Sequence, residues 1–125
     1  MTPGSTVKRS VRVAERVREE IARALVRDLG DPRLSNVVIT RVEMPDDLQL
    51  ARVLVRLAVG NDDAAARKRL LAGLAAASGL LRKRVGKNVG LRRAPELRFQ
   101  YDDGQDASQR VEALLQEIKD EKREP

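Results

Sequence analysis

The chain has 125 residues, the size of one domain, and carries 25 lysines and arginines against 19 acidic residues. It contains neither cysteine nor histidine, which excludes disulfide bonds, thiolate metal sites and histidine-based catalysis. We therefore expect a protein that is not an enzyme and that holds no metal or cofactor. No apolar run reaches the ~18 residues of a membrane span, and the N-terminus lacks an apolar signal segment, so we expect a cytoplasmic protein.

The first predicted element is an amphipathic helix. Val13, Val17 and Ile21 follow helical spacing, and most of the charged residues between them lie around the other side. Gly30 and Pro32 are expected to end this helix. Residues 1–8 before it are expected to form a flexible basic tail.

Two β-branched stretches come next, VVITRVEM and LARVLVRLAV, with the turn PDDLQ between them. This pattern predicts a β-hairpin. In the second stretch Val53 and Val55 alternate with more polar positions, so one face of the sheet is expected to pack on the core. The other face is expected to stay open and to present a thin basic surface. Its predicted residues are Arg41, Arg52, Arg56 and Arg98.

A second helical region begins after residues 61–63, where Asn and two Asp residues predict an N-terminal cap. The run ARKRLLAGLAAAS continues it, but Ser78 and Gly79 interrupt the pattern, which predicts two helices meeting at a tight bend. The bend would consist of Ala77, Ser78 and Gly79. Because small side chains would let the two helices approach closely, Gly79→Leu is expected to lower stability before it lowers binding.

Pro95 precedes ELRFQY, in which Leu97, Phe99 and Tyr101 alternate with polar residues and predict a third strand. Phe99 and Tyr101 are expected to pack in the core, although exposed aromatic rings can also stack on bases. A C-terminal helix is predicted behind a capping box that starts at Asp106. We expect a single domain over residues 9–119 and a flexible tail over 120–125.

This order of elements predicts an α+β fold: a two-layer domain with a three-stranded sheet and its helices on one face. Two helices between the second and third strands suggest a KH domain. The G-x-x-G loop that clamps RNA in KH domains is missing, however, because the glycine pair Gly86 and Gly90 encloses three residues.

Positive charge is concentrated in residues 67–98, which hold ten lysines and arginines and one acid, Glu96. A basic block of this size is typical of phosphate binding, and RNA is the expected ligand. Because aromatic residues are scarce, we expect phosphate contacts and recognition of RNA shape. The simpler alternative for residues 82–84 is a solvated helix face. The predicted RNA-binding residues are Arg67, Lys68, Arg82, Lys83, Arg84, Lys87, Arg92 and Arg93.

Two acidic pairs, Asp46-Asp47 and Asp102-Asp103, could in principle hold a metal ion. Their positions between strands or at a strand end favour turns, and no histidine or cysteine completes a site. We expect no metal site.

Several stretches together resemble bacterial ribosome-binding factor A over roughly residues 8–118. They are RSVRVAERVREEIARAL, DPRL, VEMPDDLQLARVLV and ASGLLRKRVGKNVGLRRAPELRFQYDD. In that family an Ala-x-Gly kink takes the place of G-x-x-G, and Ala77 and Gly79 match it. The resemblance implies a type II KH-like fold without enzymatic activity. It also implies binding to the free small (30S) ribosomal subunit and help in late maturation of 16S rRNA, including its 5′ end, with a link to growth in the cold.

Two classes of function stay open from the residues alone. The first is an RNA-binding assembly factor, and the second is a protein-interaction module that docks on ribosomal protein or an assembly GTPase. A ribonuclease is a third class, which we do not expect. We expect a monomer with no small-molecule substrate. Salt separates the first two classes, since about five phosphate contacts give a slope of log affinity against log salt near −3.5.

Overall fold

The computed structural model describes residues 8–27, 30–104 and 114–120. In chain order the elements are helix α1 (Arg9–Arg27), strands β1 (Val37–Glu43) and β2 (Leu50–Leu57), helix α2 (Ala64–Val89) and strand β3 (Glu96–Tyr101). A short helix, α3, covers 114–120. The predicted α+β class is confirmed, and each strand lies within two residues of its predicted range. Residues 1–7, the capping box at Asp106 and residues 121–125 lie outside the described part.

The three strands form one sheet in the order β1-β2-β3, with β1 and β2 antiparallel and β2 and β3 parallel. Val53 of β2 lies opposite Val42 of β1 and Phe99 of β3, so these three side chains share a face. That face packs with the apolar stripes of α1 and α2 in one core cluster. Phe99 and Tyr101 are partly buried against the cluster, so their predicted role in packing is confirmed.

Helix α2 is one continuous helix from Ala64 to Val89, so the two predicted helices form a single element, and the kink within it at residues 77–79 stays a prediction. Ala77, Ser78 and Gly79 lie inside it. The buried positions Leu74, Ala77, Leu81 and Val85 continue across this point at three- and four-residue spacing. One glycine costs a helix only about 1 kcal/mol, and burial of this stripe outweighs that cost. Within the described residues no helix is both long and apolar enough to cross a bilayer.

The glycines of α2 differ in how closely other elements approach them. A Cβ added to Gly79 would meet no atom within 4 Å from any other element of the described chain. The prediction that another helical segment packs closely on Gly79 was therefore wrong. A Cβ on Gly73 would lie 3.1 Å from the Arg33 Cβ and 3.1 Å from the Leu34 Cδ2. Gly73 is therefore where the 3₁₀ turn Pro32–Leu34 packs closely on α2.

We expect Gly79→Ala to raise the free energy of unfolding by about 0.5–1 kcal/mol, because alanine favours a helix and the site is open. Gly73→Leu is the contrasting variant and should lower it by about 1–3 kcal/mol through overpacking against Arg33 and Leu34. Urea unfolding of both variants measures the difference. A destabilised Gly79→Ala protein would show instead that the fold requires glycine at the predicted kink.

The second face of the sheet is covered in part by α3, whereas the alternation along β2 had predicted an open face. Arg52 and Arg98 of this face both contact Glu117 of α3. Leu54, which alternates with Val53 and Val55 and so lies on the face predicted to stay open, is 1% exposed, and Leu114 of α3 is 2% exposed. Alternation along β2 shows which residues share a face, but it does not show whether α3 shields that face from solvent. The predicted basic surface there is reduced, because Arg52 is buried while Arg41 and Arg56 stay exposed.

Candidate nucleic-acid interface

The first two predicted RNA-binding residues lie at the N-terminal end of α2. The Asp63 carboxylate caps this end and accepts a hydrogen bond of 2.9 Å from the Ala66 N–H. The Arg67 guanidinium lies 4.2 Å from the centre of the Tyr101 ring. It also donates to the Asp62 carbonyl oxygen at 2.8 Å and to the Asp62 carboxylate at 3.2 Å. Arg67 thus ties the start of α2 to the end of β3.

The same cluster holds Tyr101 and Asp62 in place. The Tyr101 hydroxyl donates to the Asp62 carboxylate at 3.1 Å and accepts from the Leu57 N–H at 3.2 Å. The hydrogen bond from Tyr101, followed by that from Arg67, lowers the pKa of Asp62. Because the folded-state pKa is depressed, this stabilisation is present above the ordinary aspartate range and is lost on acidification through the folded-state value.

Arg67→Ala is expected to lower the free energy of unfolding by about 0.5–1 kcal/mol, the usual worth of a cation–π contact at an exposed site. The matched control is Lys68→Ala, whose side chain is exposed on the next position. Thermal unfolding compares the two. If the Arg67→Ala protein is as stable as the Lys68→Ala protein, the contact between Arg67 and Tyr101 does not stabilise the fold.

The other six predicted residues lie at the opposite end of α2 and in the loop after it. Arg82 is fifteen residues beyond Arg67, about 22 Å along the helix axis. Its Nε and Nη2 donate to the Ala94 carbonyl oxygen at 3.4 and 3.2 Å. Gly90, at φ 79°, ends α2 in the left-handed conformation and turns the chain back toward the sheet. This turn leaves Arg92 and Arg93 exposed.

A groove of about 460 Å³ opens between this loop, the start of α1 and the β1–β2 turn. We call it the loop groove. Four cationic side chains line it, against two carboxylates, Asp47 and Glu96. The four cations are Arg9, Arg82, Arg92 and Arg93. Its charge balance therefore favours an anionic ligand such as phosphate.

A second groove, of about 490 Å³, lies between α1 and α2, and we call it the seam groove. Arg23 and Arg27 of α1 face Arg84 of α2 across it. Glu20 is its one carboxylate among the described residues. Glu20 accepts a hydrogen bond of 2.8 Å from the Asn88 side chain and lies 3.9 Å from Arg23 Nε. The seam groove is cationic overall.

Lys83 and Lys87 stand between the two grooves on the outward side of α2, and both are exposed. The structure therefore brings six of the eight predicted residues to one end of the molecule and leaves Arg67 and Lys68 at the other. It adds three arginines that the charge count over 67–98 missed: Arg9, Arg23 and Arg27. The signal for part of this set was present, since Arg9, Arg16 and Arg23 recur at seven-residue spacing along one side of α1.

The acidic pairs bond within or beside turns. Asp46 accepts a hydrogen bond from the Ser10 hydroxyl at 3.1 Å, and Asp47 accepts one from the Gln49 N–H at 3.1 Å. Asp102 accepts from the Thr40 hydroxyl at 2.6 Å. These bonds join α1 to the β1–β2 turn and β1 to the end of β3.

Comparison with known proteins agrees with the geometry. The model of the family described as ribosome-binding factor A matches residues 9–115. Ribosome-binding factor A of Sorangium cellulosum is 58% identical over 114 residues, which are 91% of each chain.

Solved structures give the same fold. The crystal structure of ribosome-binding factor A from Thermus thermophilus superposes with a TM-score of 0.66 at 21% identity, over 78% of this chain and 99% of that one. A homology model of the Thermus thermophilus factor, fitted into a cryo-EM map of a 30S complex, gives a TM-score of 0.59 at 22% identity, over 77% of this chain and 99% of that one. The predicted KH-like fold is confirmed. The chain belongs to the ribosome-binding factor A family.

Proposed function

We propose that this protein is an assembly factor that binds the free small ribosomal subunit through phosphates of 16S rRNA. Membership of the family supports the proposal, as does the 30S complex of the Thermus thermophilus factor. The observation that carries it is the collection of cations at one end of α2, in the loop groove, in the seam groove and on the two lysines between them.

The chemistry of this surface favours phosphate over bases. Phe99 and Tyr101 are packed against the core, so they offer no stacking platform. Arginines and lysines that contact phosphate give affinity and orientation with little reading of sequence. Selection of the target would then come from the shape of folded RNA. A protein that binds one rRNA conformation better than another shifts the population toward it without catalysing a reaction.

We further propose that the protein acts late in subunit maturation as a cytoplasmic monomer, that it assists processing of the 16S rRNA 5′ end, and that it supports growth in the cold. Its role is to bind, so purified protein should leave precursor 16S rRNA uncut. Cells without the protein should accumulate precursor with an extended 5′ end, and the wild-type chain should reverse this. Cleavage of the precursor by the purified protein would contradict the proposed binding role and indicate a ribonuclease.

The test of binding is affinity for purified 30S subunits over a range of salt concentrations. About five phosphate contacts predict a slope of log affinity against log salt near −3.5, and Lys87→Glu/Arg93→Glu should reduce it to roughly −2. Arg56→Glu/Arg69→Glu is the control with the same change of charge, since both arginines are exposed away from the two grooves. A slope near zero would favour docking on protein instead.

A further inference from the structure

The two cationic grooves lie on opposite flanks of the same helical turns. Arg82 borders the loop groove and Arg84 borders the seam groove. Two residues apart on a helix, their side chains leave the axis about 200° apart. Lys83 and Lys87 occupy the crest between them and are exposed. The C-terminal half of α2 is therefore a ridge with positive charge on both sides and along its top.

Each flank is fixed by contacts across the fold. Arg82 donates two hydrogen bonds to the Ala94 carbonyl oxygen, which fixes the loop wall of the first groove. Asn88 donates to Glu20 of α1, which is buried, and this bond fixes the α1 wall of the second. Neither flank is a row of side chains on a single helix. The ridge and its walls are a shaped surface to which an anionic backbone can conform.

This geometry limits which RNA can fill both grooves together. An α-helix with its side chains is about 10–12 Å across, and the major groove of A-form RNA is too deep and narrow to admit it. The minor groove is wide and shallow, so it provides no pair of walls that could lie against both flanks. One regular duplex therefore fits poorly around both flanks of the ridge, whereas two separate backbones can each lie in one groove.

We propose, on the basis of the proposed function above, that the α2 ridge inserts between two RNA backbones belonging to different helices, one in each groove. Its target is a junction where two helices lie side by side. Linking two weak phosphate sites in one rigid protein raises affinity for RNA that offers both backbones at the correct spacing. The chain would thereby favour RNA in which the two helices have already come together.

The test uses two synthetic RNAs with equal numbers of nucleotides, a single hairpin and a junction of two adjacent helices. The wild-type protein should bind the junction at least tenfold more tightly by fluorescence anisotropy. Arg92→Gln/Arg93→Gln should make the salt slope shallower by about 1.8 on both RNAs, at about 0.9 for each duplex phosphate contact. Arg23→Gln/Arg27→Gln should also make the slope on the junction shallower, because the second backbone lies in the seam groove. Arg56→Gln/Arg69→Gln should change neither slope.

Equal affinity of the wild-type protein for the two RNAs would overturn the two-backbone proposal. So would a junction slope that Arg23→Gln/Arg27→Gln leaves unchanged. Because Arg23 lies near Glu20, the stability of the Arg23→Gln/Arg27→Gln protein is measured by thermal unfolding. If that protein is destabilised, Arg27→Gln/Arg84→Gln is used in its place. A salt slope near zero on 30S subunits would instead remove the proposed function, so the two failures are distinguishable.

Discussion

Glu117→Ala is expected to lower the free energy of unfolding by about 2–3 kcal/mol, more than Arg52→Met does. Arg52 is 5% exposed on the sheet face covered by α3, and its guanidinium pairs with Glu117 and donates to Gln100. Removing one partner of a buried pair typically costs 3–5 kcal/mol because the other charge stays buried. The Glu117 side chain is 42% exposed, so water compensates in part and the expected cost is lower.

Arg52→Met should cost less than about 1 kcal/mol, because replacing a buried ion by an apolar side chain of similar length is often neutral. The Glu117 carboxylate that remains is exposed enough to be hydrated. In the double variant the Glu117→Ala change should add little. Urea unfolding of the three variants gives the order. If Arg52→Met lowers the free energy of unfolding most, the ion pair between Arg52 and Glu117 stabilises the fold by more than the cost of burying Arg52, and the expected order is wrong. Binding to 30S subunits should stay unchanged throughout, since neither Arg52 nor Glu117 lines the loop groove or the seam groove.

Local pattern predicted most of the elements. β3 occupies the residues of ELRFQY, where apolar and polar residues alternate directly after a proline. The cap of α2 was also predictable, since Asp63 needs only the N–H of Ala66 three residues on. These features depend on neighbours within a few residues, and the sequence contains all of that information.

The errors concern contacts between distant parts of the chain. The two predicted helices form one because a helix tolerates one glycine when its buried stripe continues on both sides. The sheet face that contains Leu54 was predicted to stay open because alternation cannot show that α3, more than fifty residues later, covers part of it. Both outcomes depend on tertiary packing, which overrides local preference.

The location of the candidate site was predictable from the sequence, but the predicted list of its residues was incomplete. Counting charge over 67–98 found the C-terminal half of α2 and its loop, but the count ignores which side of a helix each residue occupies. It therefore included Arg67, which stacks on Tyr101. It omitted Arg23 and Arg27, which reach the site because α1 packs beside α2, as the bond between Glu20 and Asn88 across 68 positions of sequence shows.

Gly86→Leu is expected to weaken binding to 30S subunits at least tenfold, about 1.4 kcal/mol, by displacing the loop that carries Arg92 and Arg93. A Cβ on Gly86 would lie 3.1 Å from the Ala94 Cβ and 3.8 Å from its Cα. A leucine there must push Ala94 outward, and the carbonyl oxygen of Ala94 is the group that Arg82 holds. The wall of the loop groove would then move away from the phosphates it contacts.

Two matched variants separate this effect from general damage to the helix. Gly79→Leu places the same side chain in the same helix at a position with open space, and it should keep wild-type affinity. Ala94→Gly combined with Gly86→Leu removes the Cβ that the new side chain meets first, so it should recover part of the lost affinity. Affinity for 30S subunits and thermal unfolding are measured on all three proteins. Equal binding by the Gly86→Leu and Gly79→Leu proteins would show that the position of the 91–94 loop does not control the interface.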